Sequence, residues 1–233
     1  MSNLHNRFKD APWYPKEILH AFVGGAGGIG SWTAMLLARA GFNPIVYDFD
    51  LLEEHNLGGQ LFPKRFISKP KTEALTLVIK DFCDVDIVGM NEKIDEDTPT
   101  HLYCISAFDN MVARRIFFNS WLTTYGHDPK ALYIDGRLNA EQMQIFCIKG
   151  GAANVDAQHK YLTEELFDDK DVADAPCTFK QTSHAAAMIA AHIVGFFTNH
   201  ITNVVENDTT RTVPYKWEYF IPMDLLDVQN QIT

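Results

Sequence analysis

Apolar and polar positions alternate in blocks along the first part of the chain. Residues 18–23 form a short apolar run that leads into a glycine-rich stretch, residues 24–30. Helix-forming side chains follow over residues 31–40, and a second apolar run occupies residues 45–47. This order predicts a strand, a glycine turn, a helix and a second strand, which together make one βαβ unit of a parallel sheet.

The same alternation continues through the rest of the chain. It predicts helices over residues 72–80 and 111–121, and strands over residues 86–90, 102–106, 132–134, 144–148 and 215–221. The connection after residues 132–134 is polar and short enough for a hairpin, so the next strand is expected to be antiparallel. We therefore predict an α/β fold with a Rossmann-like doubly wound sheet, parallel in its first half and mixed or antiparallel in its second.

One long segment, residues 149–182, lacks this periodicity. It carries an acidic cluster and only fragments of helix around residues 161–167. Irregular segments of this length are uncommon inside a compact domain and are usually functional. We therefore expect a long crossover loop at about residues 149–182 that passes over the functional site.

The longest apolar run of the chain follows that segment. It covers residues 185–197 and is interrupted by His192. Because the run is too short to span a bilayer, it predicts a buried helix. The sequence has no internal repeat, and residues 1–233 are predicted to form a single domain.

The composition restricts the class of protein. With 233 residues, 46% of them hydrophobic, the chain can bury a sizeable core. Asp and Glu outnumber Lys and Arg by 30 to 20, and the formal charge of −10 repels nucleic-acid backbones and anionic lipid. We therefore expect no nucleic-acid partner and no membrane partner, and any phosphate site has to be local.

Cysteine usage and the N-terminal sequence indicate the compartment. The 4 cysteines lie far apart without a C-x-x-C pair, which argues against a zinc knuckle or a dense disulfide framework. Residues 1–10 are polar and of mixed charge, unlike a signal peptide. These features predict a protein of a reducing compartment, the cytoplasm.

The glycine turn is the first candidate for chemistry. Gly25, Gly27 and Gly30 allow a nucleotide phosphate to approach backbone N–H groups and a helix N-terminus. This pattern alone fits NAD, FAD, SAM and ATP, and also a turn without a ligand. Asp48 and Asp50 follow the second strand, where one carboxylate can accept hydrogen bonds from both ribose hydroxyls.

The next polar positions separate these nucleotides. Asn56 and Gln60 follow the second strand, Lys71 starts the next helix, and Asp109 and Asn110 follow a central strand. An NAD enzyme needs none of them. A carboxylate that attacks the α-phosphate of ATP brings two anions together, which calls for a lysine, an arginine and an aspartate-bound magnesium ion. Lys71 is the candidate for the lysine, and Asp109 is the candidate for the aspartate that binds magnesium.

Together these motifs resemble those of the ubiquitin-activating E1 enzymes and their bacterial relatives ThiF and MoeB, over about residues 7–200. The positions that match the family pattern are Gly25, Gly27, Gly28, Gly30, Asp48, Asp50, Asn56, Leu57, Gln60, Lys71, Asp109, Asn110 and Arg114. The resemblance implies ATP and Mg²⁺ as cofactors and adenylation of a C-terminal carboxylate. It further implies a ubiquitin-like or sulfur-carrier partner with a glycine-terminated tail, and a homodimer or pseudo-dimer.

The resemblance also implies roles for individual residues. Asp50 would hold the ribose hydroxyls, and Asn56 and Lys71 would bind the phosphates. Asp109 would hold Mg²⁺ near the α-phosphate, and Arg114 would act with it in catalysis. Gly25, Gly27, Gly28, Gly30, Asp48, Gln60 and Asn110 would complete the nucleotide site.

Two positions concern arginines of the family pattern. Where the family has arginine before Gln60, this chain has Gly59, so one positive charge expected on the triphosphate is missing. The candidates to replace it are Arg114, Arg115, Lys64 and Arg65. Arg7 resembles the family's arginine that reaches across a dimer interface to the γ-phosphate, and an ordinary surface arginine is the alternative.

Cys177 is the candidate nucleophile. It stands near a helix start with Lys180 close by, which favours the thiolate, whereas the acidic run over residues 168–174 opposes it. Residues 177–182 resemble the stretch that carries the thioester cysteine of eukaryotic E1 subunits, and a structural loop cysteine is the alternative. Cys104 and Cys147 lie in apolar strand patterns and are predicted to be small buried side chains.

Three functions remain open from the sequence. The first is adenylation of a small ubiquitin-like protein, with possible acyl transfer to Cys177. The second is a non-catalytic scaffold or half of a heterodimer, which Gly59 favours. The third is an NAD(P)-dependent Rossmann oxidoreductase, which shares only the glycine turn and Asp48 with the observed pattern.

Overall fold

The structure, a computed structural model, describes residues 4–167 and 181–231. The strands are β1 (His20–Gly24), β2 (Asn43–Tyr47), β3 (Val88–Met90), β4 (Tyr103–Ser106), β5 (Leu132–Asn139), β6 (Gln142–Lys149), β7 (Lys216–Phe220) and β8 (Leu225–Gln229). The α-helices are α1 (Gly28–Arg39), α2 (Lys71–Cys83), α3 (Met111–Tyr125), α4 (Val155–Lys160) and α5 (Ser183–Glu206). Short 3₁₀ helices cover Glu54–Gly58, Lys64–Phe66, Ala152–Asn154 and Ile221–Met223, and a π-helical turn covers Tyr161–Glu165.

The strands form one 8-stranded sheet in the order β3-β2-β1-β4-β5-β6-β7-β8. The neighbours from β3 to β5 pair in parallel, and those from β5 to β8 pair antiparallel. This confirms the predicted Rossmann-like sheet with a parallel first half and an antiparallel second half. The chain leaves β1 in one direction for β2 and returns on its other side for β4, so the carboxyl ends of β1 and β4 flank a topological switch point. In open α/β sheets, ligands usually bind at such a point.

Both faces of the sheet are covered because its central strands are apolar on both sides. Leu37 of α1, Leu75 of α2 and Phe197 of α5 pack in one core cluster. Phe118 of α3 and Ala157 of α4 pack in the cluster on the opposite face. The helices that follow β1 and β4 therefore begin at the switch point and run away from it.

Helix α5 is longer than the predicted buried run. It has 24 residues, from Ser183 to Glu206, because polar residues such as His200 and Thr202 continue it with their side chains buried. By length and composition alone it could cross a membrane, yet half of that apolar stretch is buried inside the protein. Ile193 packs over Gly136 of β5, so α5 is a core helix of this fold.

Two other expectations are corrected by the structure. Residues 152–165 were predicted to be mostly irregular, but they form a 3₁₀ helix, α4 and a π-helical turn, because Ala157 and Tyr161 share a face that packs in the core. Strand β8 was not predicted, and it pairs with β7 at the edge of the sheet. The rest of the predicted crossover loop, residues 168–180, lies outside the described residues.

The buried ring of His200 predicts acid sensitivity of the fold. Its Nε2 lies 2.8 Å from the carbonyl oxygen of Lys130, and burial lowers the pKa of His200 to about 4. An unfolded histidine has a pKa of about 6.5, so the unfolded chain takes up this proton first as the pH falls. The neutral ring of His200 therefore makes its full contribution to the free energy of unfolding above about pH 6.5. About 2 kcal/mol of that contribution is lost between pH 7 and pH 5.

Urea unfolding at pH 7 and pH 5 measures this effect. The wild-type protein is expected to lose more free energy of unfolding between these pH values than His200→Gln, which cannot titrate. The other histidines are common to both proteins and cancel in the difference. Equal losses in the two proteins would contradict the assignment.

Candidate nucleotide site

The glycine loop after β1 has a shape that side chains would prevent. Gly25 has a φ of +95°, and a Cβ there would lie 2.8 Å from the carbonyl oxygen of Ala107. A Cβ on Gly30 would lie 1.8 Å from the carbonyl oxygen of Gly25. Helix α1 begins at Gly28 with Gly27 as its N-cap, and no side chain caps it. An uncapped helix N-terminus of this kind has backbone N–H groups that can bind an anion.

Asp48, at the end of β2, holds this loop in place. Its Oδ2 accepts a hydrogen bond from the N–H of Ala26 at 2.7 Å, and its Oδ1 accepts one from the N–H of Asp50 at 2.8 Å. Burial raises the pKa of Asp48, and the nearby charge of Lys71 opposes this shift. In this structure both carboxylate oxygens of Asp48 bind backbone.

Asp50 and Lys71 form an ion pair beside the loop. Lys71 Nζ lies 2.7 Å from Asp50 Oδ2, and the exposed fractions of the two side chains are 8% and 49%. The N–H of Lys71 also donates to the carbonyl of Asp50 at 2.9 Å, which fixes the start of α2 against the end of β2. An ammonium group has three donors and this pair uses one. Lys71 therefore keeps donors for an added anion, and Asp50 stays open to solvent.

Asn56 and Gln60 lie on the segment that follows. The side chain of Asn56 accepts a hydrogen bond from the N–H of Glu53 at 2.9 Å, as part of a reciprocal cap of the first 3₁₀ helix. The Oε1 of Gln60 is buried without a hydrogen-bond partner among the described residues. The N–H of Leu61 donates to Ser31 Oγ at 3.1 Å, so the segment is tied to the first turn of α1. Gln60 thus adjoins a residue that is tied to the uncapped helix end, and Asn56 caps the short helix before it.

The candidates to replace the missing charge at Gly59 have other partners. Lys64 and Arg65 are exposed and pair with acidic side chains at 3.4 and 2.8 Å. Arg115 donates to a backbone carbonyl. Arg114 is buried. In this structure these four cations are therefore bonded elsewhere, and position 59 has no side chain of its own.

Asp109 lies at the carboxyl end of β4, across the switch point from the loop. The N–H of Ala107 donates to the carbonyl of Gly24 at 2.8 Å, which joins the two strand ends. Asp109 is exposed, and its Oδ1 accepts a hydrogen bond from Asn110 Nδ2 at 3.1 Å. Asn110 also caps α3 by accepting from the N–H of Ala113 at 2.8 Å. Asn110 therefore orients Asp109.

The described residues contain no group of three or more His, Cys, Asp or Glu that could hold a metal ion by itself. Mg²⁺ that binds together with a nucleotide needs only one or two carboxylates, because phosphates and water complete its shell. Asp109 supplies one exposed carboxylate, at the edge of the sheet where the parallel strands have their carboxyl ends. The donor set fits a magnesium ion that arrives with ATP.

Arg114 lies in a buried network rather than in the open site. Its guanidinium donates to the carboxylate of Asp135 and to the carbonyl of Phe108. Asp135 also accepts hydrogen bonds from Arg137 Nε at 2.7 Å and from the hydroxyl of Tyr161 at 2.9 Å. The network fixes the backbone that carries the predicted metal ligand. Sequence reasoning missed its other members, although charged residues directly after an apolar strand run were a signal.

Three of the four cysteines lie within the described residues. Cys83, Cys104 and Cys147 are free and buried, as was predicted for Cys104 and Cys147. Burial raises the pKa of Cys104 to about 12, so its thiol stays protonated. Cys177 and Lys180 lie outside the described residues.

Arg7 is exposed on an N-terminal arm. Phe8 stacks on Trp13 at 5.5 Å, and Trp13 lies 6.1 Å from Phe42, just beyond the end of α1. A helix of 12 residues is about 18 Å long, so this arm packs at the end of α1 that is remote from the glycine loop. The predicted contact of Arg7 with a γ-phosphate would therefore have to be with the site of a second copy.

Solved structures share this fold. The E. coli MccB structure with succinimide has a TM-score of 0.69 and 16% identity, and the match covers 98% of this chain and 66% of that chain. The structure of E. coli MccB with ATP has a TM-score of 0.68 and 16% identity, and the match covers 98% of this chain and 66% of that chain. The structure of selenomethionine PaaA has a TM-score of 0.65 and 16% identity, and the match covers 92% of this chain and 64% of that chain. The chain thus spans slightly less than two thirds of the length of these proteins, and the likeness concerns the fold.

Sequence comparison identifies the family. No curated protein matches the chain. The profile of the ThiF family matches residues 17–219, from just before β1 into β7, and this range includes every described residue of the nucleotide site. The chain therefore belongs to the ThiF family.

Proposed function

We propose that this chain is an adenylyltransferase that uses ATP and Mg²⁺ to activate the C-terminal carboxylate of a peptide or small protein. The observation that carries the proposal is that Lys71, paired with Asp50 after β2, and Asp109, exposed after β4, follow the two strands that flank β1 in parallel and so lie at the same sheet edge as the uncapped start of α1. A cation, a free carboxylate and N–H donors are what the attack of a carboxylate on a phosphate requires.

The proposed reaction has one bond-forming step. A carboxylate oxygen attacks the α-phosphorus of ATP, the bond from that phosphorus to the bridging oxygen of the β-phosphate breaks, and pyrophosphate leaves. The N–H groups of α1 and the ammonium of Lys71 bind phosphate oxygens and reduce the repulsion between the two anions. When bound at Asp109, Mg²⁺ supplies further positive charge beside the phosphates. Asp50 accepts hydrogen bonds from the ribose.

The class of substrate is part of the proposal. The family resemblance favours a ubiquitin-like or sulfur-carrier protein with a glycine-terminated tail. Structures of E. coli MccB contain MccA, which supports a peptide as the second candidate. Both candidates end in a carboxylate, so the adenylation chemistry is the same.

Three further features belong to the proposal. The protein acts as a cytoplasmic homodimer, with Arg7 directed to the site of the second copy. Cys177 is the candidate acceptor: its thiolate would attack the acyl carbon, a C–S bond would form, the C–O bond would break and AMP would leave. This transfer is a separate step, and adenylation by itself does not depend on Cys177.

Nucleotide binding is the first test of this proposal. MgATP is expected to raise the melting temperature, because a ligand that binds only the folded state stabilises it, whereas NADH and NADPH are expected to have no effect. Exchange of labelled pyrophosphate into ATP is then measured with glycine-terminated ubiquitin-like proteins and with short peptides. Stabilisation by NADH instead of ATP would favour the oxidoreductase. Partner binding without exchange would favour the scaffold.

A further inference from the structure

The side chain of Gln181, two residues before α5, lies inside the nucleotide site. Its Nε2, Cδ and Oε1 would lie 2.0, 2.2 and 2.3 Å from a Cβ on Gly28. On the other side, its Oε1 and Cγ would lie 3.2 and 3.3 Å from a Cβ on Gly59. The amide of Gln181 is therefore held between two glycines, one at the start of α1 and one at the position of the missing arginine.

A side chain at Gly59 would press against Gln181, whereas the backbone conformation there does not require glycine. Gly59 has φ −123° and ψ −23°, which other residues adopt without strain. It is buried, and the neighbour that a Cβ would meet is Gln181. A side chain at position 59 and the observed side chain of Gln181 would therefore compete for part of the same space.

The segment that carries Gln181 is fastened at this place. Ser183 Oγ donates to the carbonyl of Gly58 at 2.6 Å, which joins the start of α5 to the segment after β2. The amide of Gln181 itself makes no hydrogen bond with any described residue. A half-buried amide without a partner gains from one. The uncapped N–H groups of α1 beside it would share that partner if it were an anion.

We propose that Gln181 is a polyphosphate ligand of this site, whose amide N–H donates to a phosphate oxygen of bound ATP. The contact supplies, without a charge, an interaction with the triphosphate that Gly59 cannot make. This proposal rests on the proposed function, because it requires ATP to bind along the start of α1.

Substitution of Gln181 tests the contact directly. Gln181→Glu keeps the shape of the side chain but replaces the donor with a negative charge, and Gln181→Ala removes the amide. Calorimetric titration with MgATP is expected to show about tenfold weaker binding for Gln181→Ala, and still weaker binding for Gln181→Glu. Affinity for adenosine, which has no phosphate, is expected to stay at the wild-type value in both variants.

A double-mutant cycle separates this contact from a general disturbance. Gly59→Ala is expected to displace Gln181 and weaken MgATP binding in the wild-type background, but to add nothing to Gln181→Ala. Gly58→Ala is the matched control, since a Cβ there meets nothing within 4 Å. Additive effects of the two substitutions would overturn the proposal.

Two further outcomes are informative. Unchanged or tighter MgATP binding by Gln181→Ala, with normal binding by the wild-type protein, would overturn the contact and leave the proposed function intact. Wild-type protein that binds no MgATP would overturn both. The melting temperature without ligand shows whether the variants are folded.

Discussion

Asp109→Asn is expected to slow pyrophosphate exchange by about 100-fold or more without changing the fold. The carboxylate of Asp109 is the exposed acidic group at the end of β4, and the hydrogen bond from Ala107 to Gly24 places it beside the glycine loop. An asparagine keeps an acceptor for Asn110 but loses the charge that holds Mg²⁺. Exchange is measured with a substrate that supports it in the wild-type protein.

A second measurement of the same variant needs no substrate. The wild-type protein is expected to bind ATP more tightly with Mg²⁺ than with a chelator, and Asp109→Asn is expected to lose that difference. Asp227→Asn is the control, because Asp227 is an exposed acid on β8, at the far edge of the sheet. Exchange and Mg²⁺ dependence at wild-type levels in Asp109→Asn would remove Asp109 from the site.

Asp135→Ala is expected to reduce the free energy of unfolding by about 3–5 kcal/mol, because it leaves two buried guanidinium groups without their counter-ion. Asp135 is 0% exposed and accepts hydrogen bonds from Arg114, Arg137 and Tyr161. Burial opposes its ionisation, but the charges of Arg114 and Arg137 outweigh burial and hold the pKa of Asp135 below its ordinary value. Its contribution to stability is therefore present at neutral pH and is lost as the pH falls through that lowered pKa.

Urea unfolding at neutral pH tests this expectation. Asp86→Ala is the control, because Asp86 also pairs with a cation, Lys80, at 3.0 Å, but on the surface. That substitution is expected to change stability little, since exposed ion pairs contribute little. Arg114→Met is expected to destabilise the protein as Asp135→Ala does. Normal stability with lost exchange in Arg114→Met would instead support the catalytic role that the sequence motif gave to Arg114.

The order of the elements could be predicted from the sequence because it depends on local periodicity and on glycine. Apolar runs of strand length and helical spacing are encoded within a few residues. Strand β5 shows the limit of that signal. It was predicted to end at residue 134 but continues to Asn139, because Asp135 and Arg137 are buried by partners from other parts of the chain.

Two further elements depended on the tertiary structure. The α4 region was predicted to be mostly irregular, since three polar residues, Gln158, His159 and Lys160, separate Ala157 from Tyr161. Packing of these two side chains in the core supplies the stability that a short isolated helix lacks. Strand β8 exists through its pairing with β7, because Leu225–Gln229 has exposed side chains throughout.

For the nucleotide site, local sequence is sufficient to predict the glycine loop and the residue types at the edge of the sheet. Which polar atoms remain available for a ligand depends on the folded arrangement. Asp48 binds backbone, Arg114 binds a buried aspartate, and Asp109 stays exposed, although all three belong to the same motif set. A motif specifies which chemical groups are present, whereas hydrogen bonding and burial depend on which distant segments the fold brings within about 3 Å of them. For that reason the place of Gln181, which has no role of its own in the resemblance of residues 177–182, is apparent only in the folded chain.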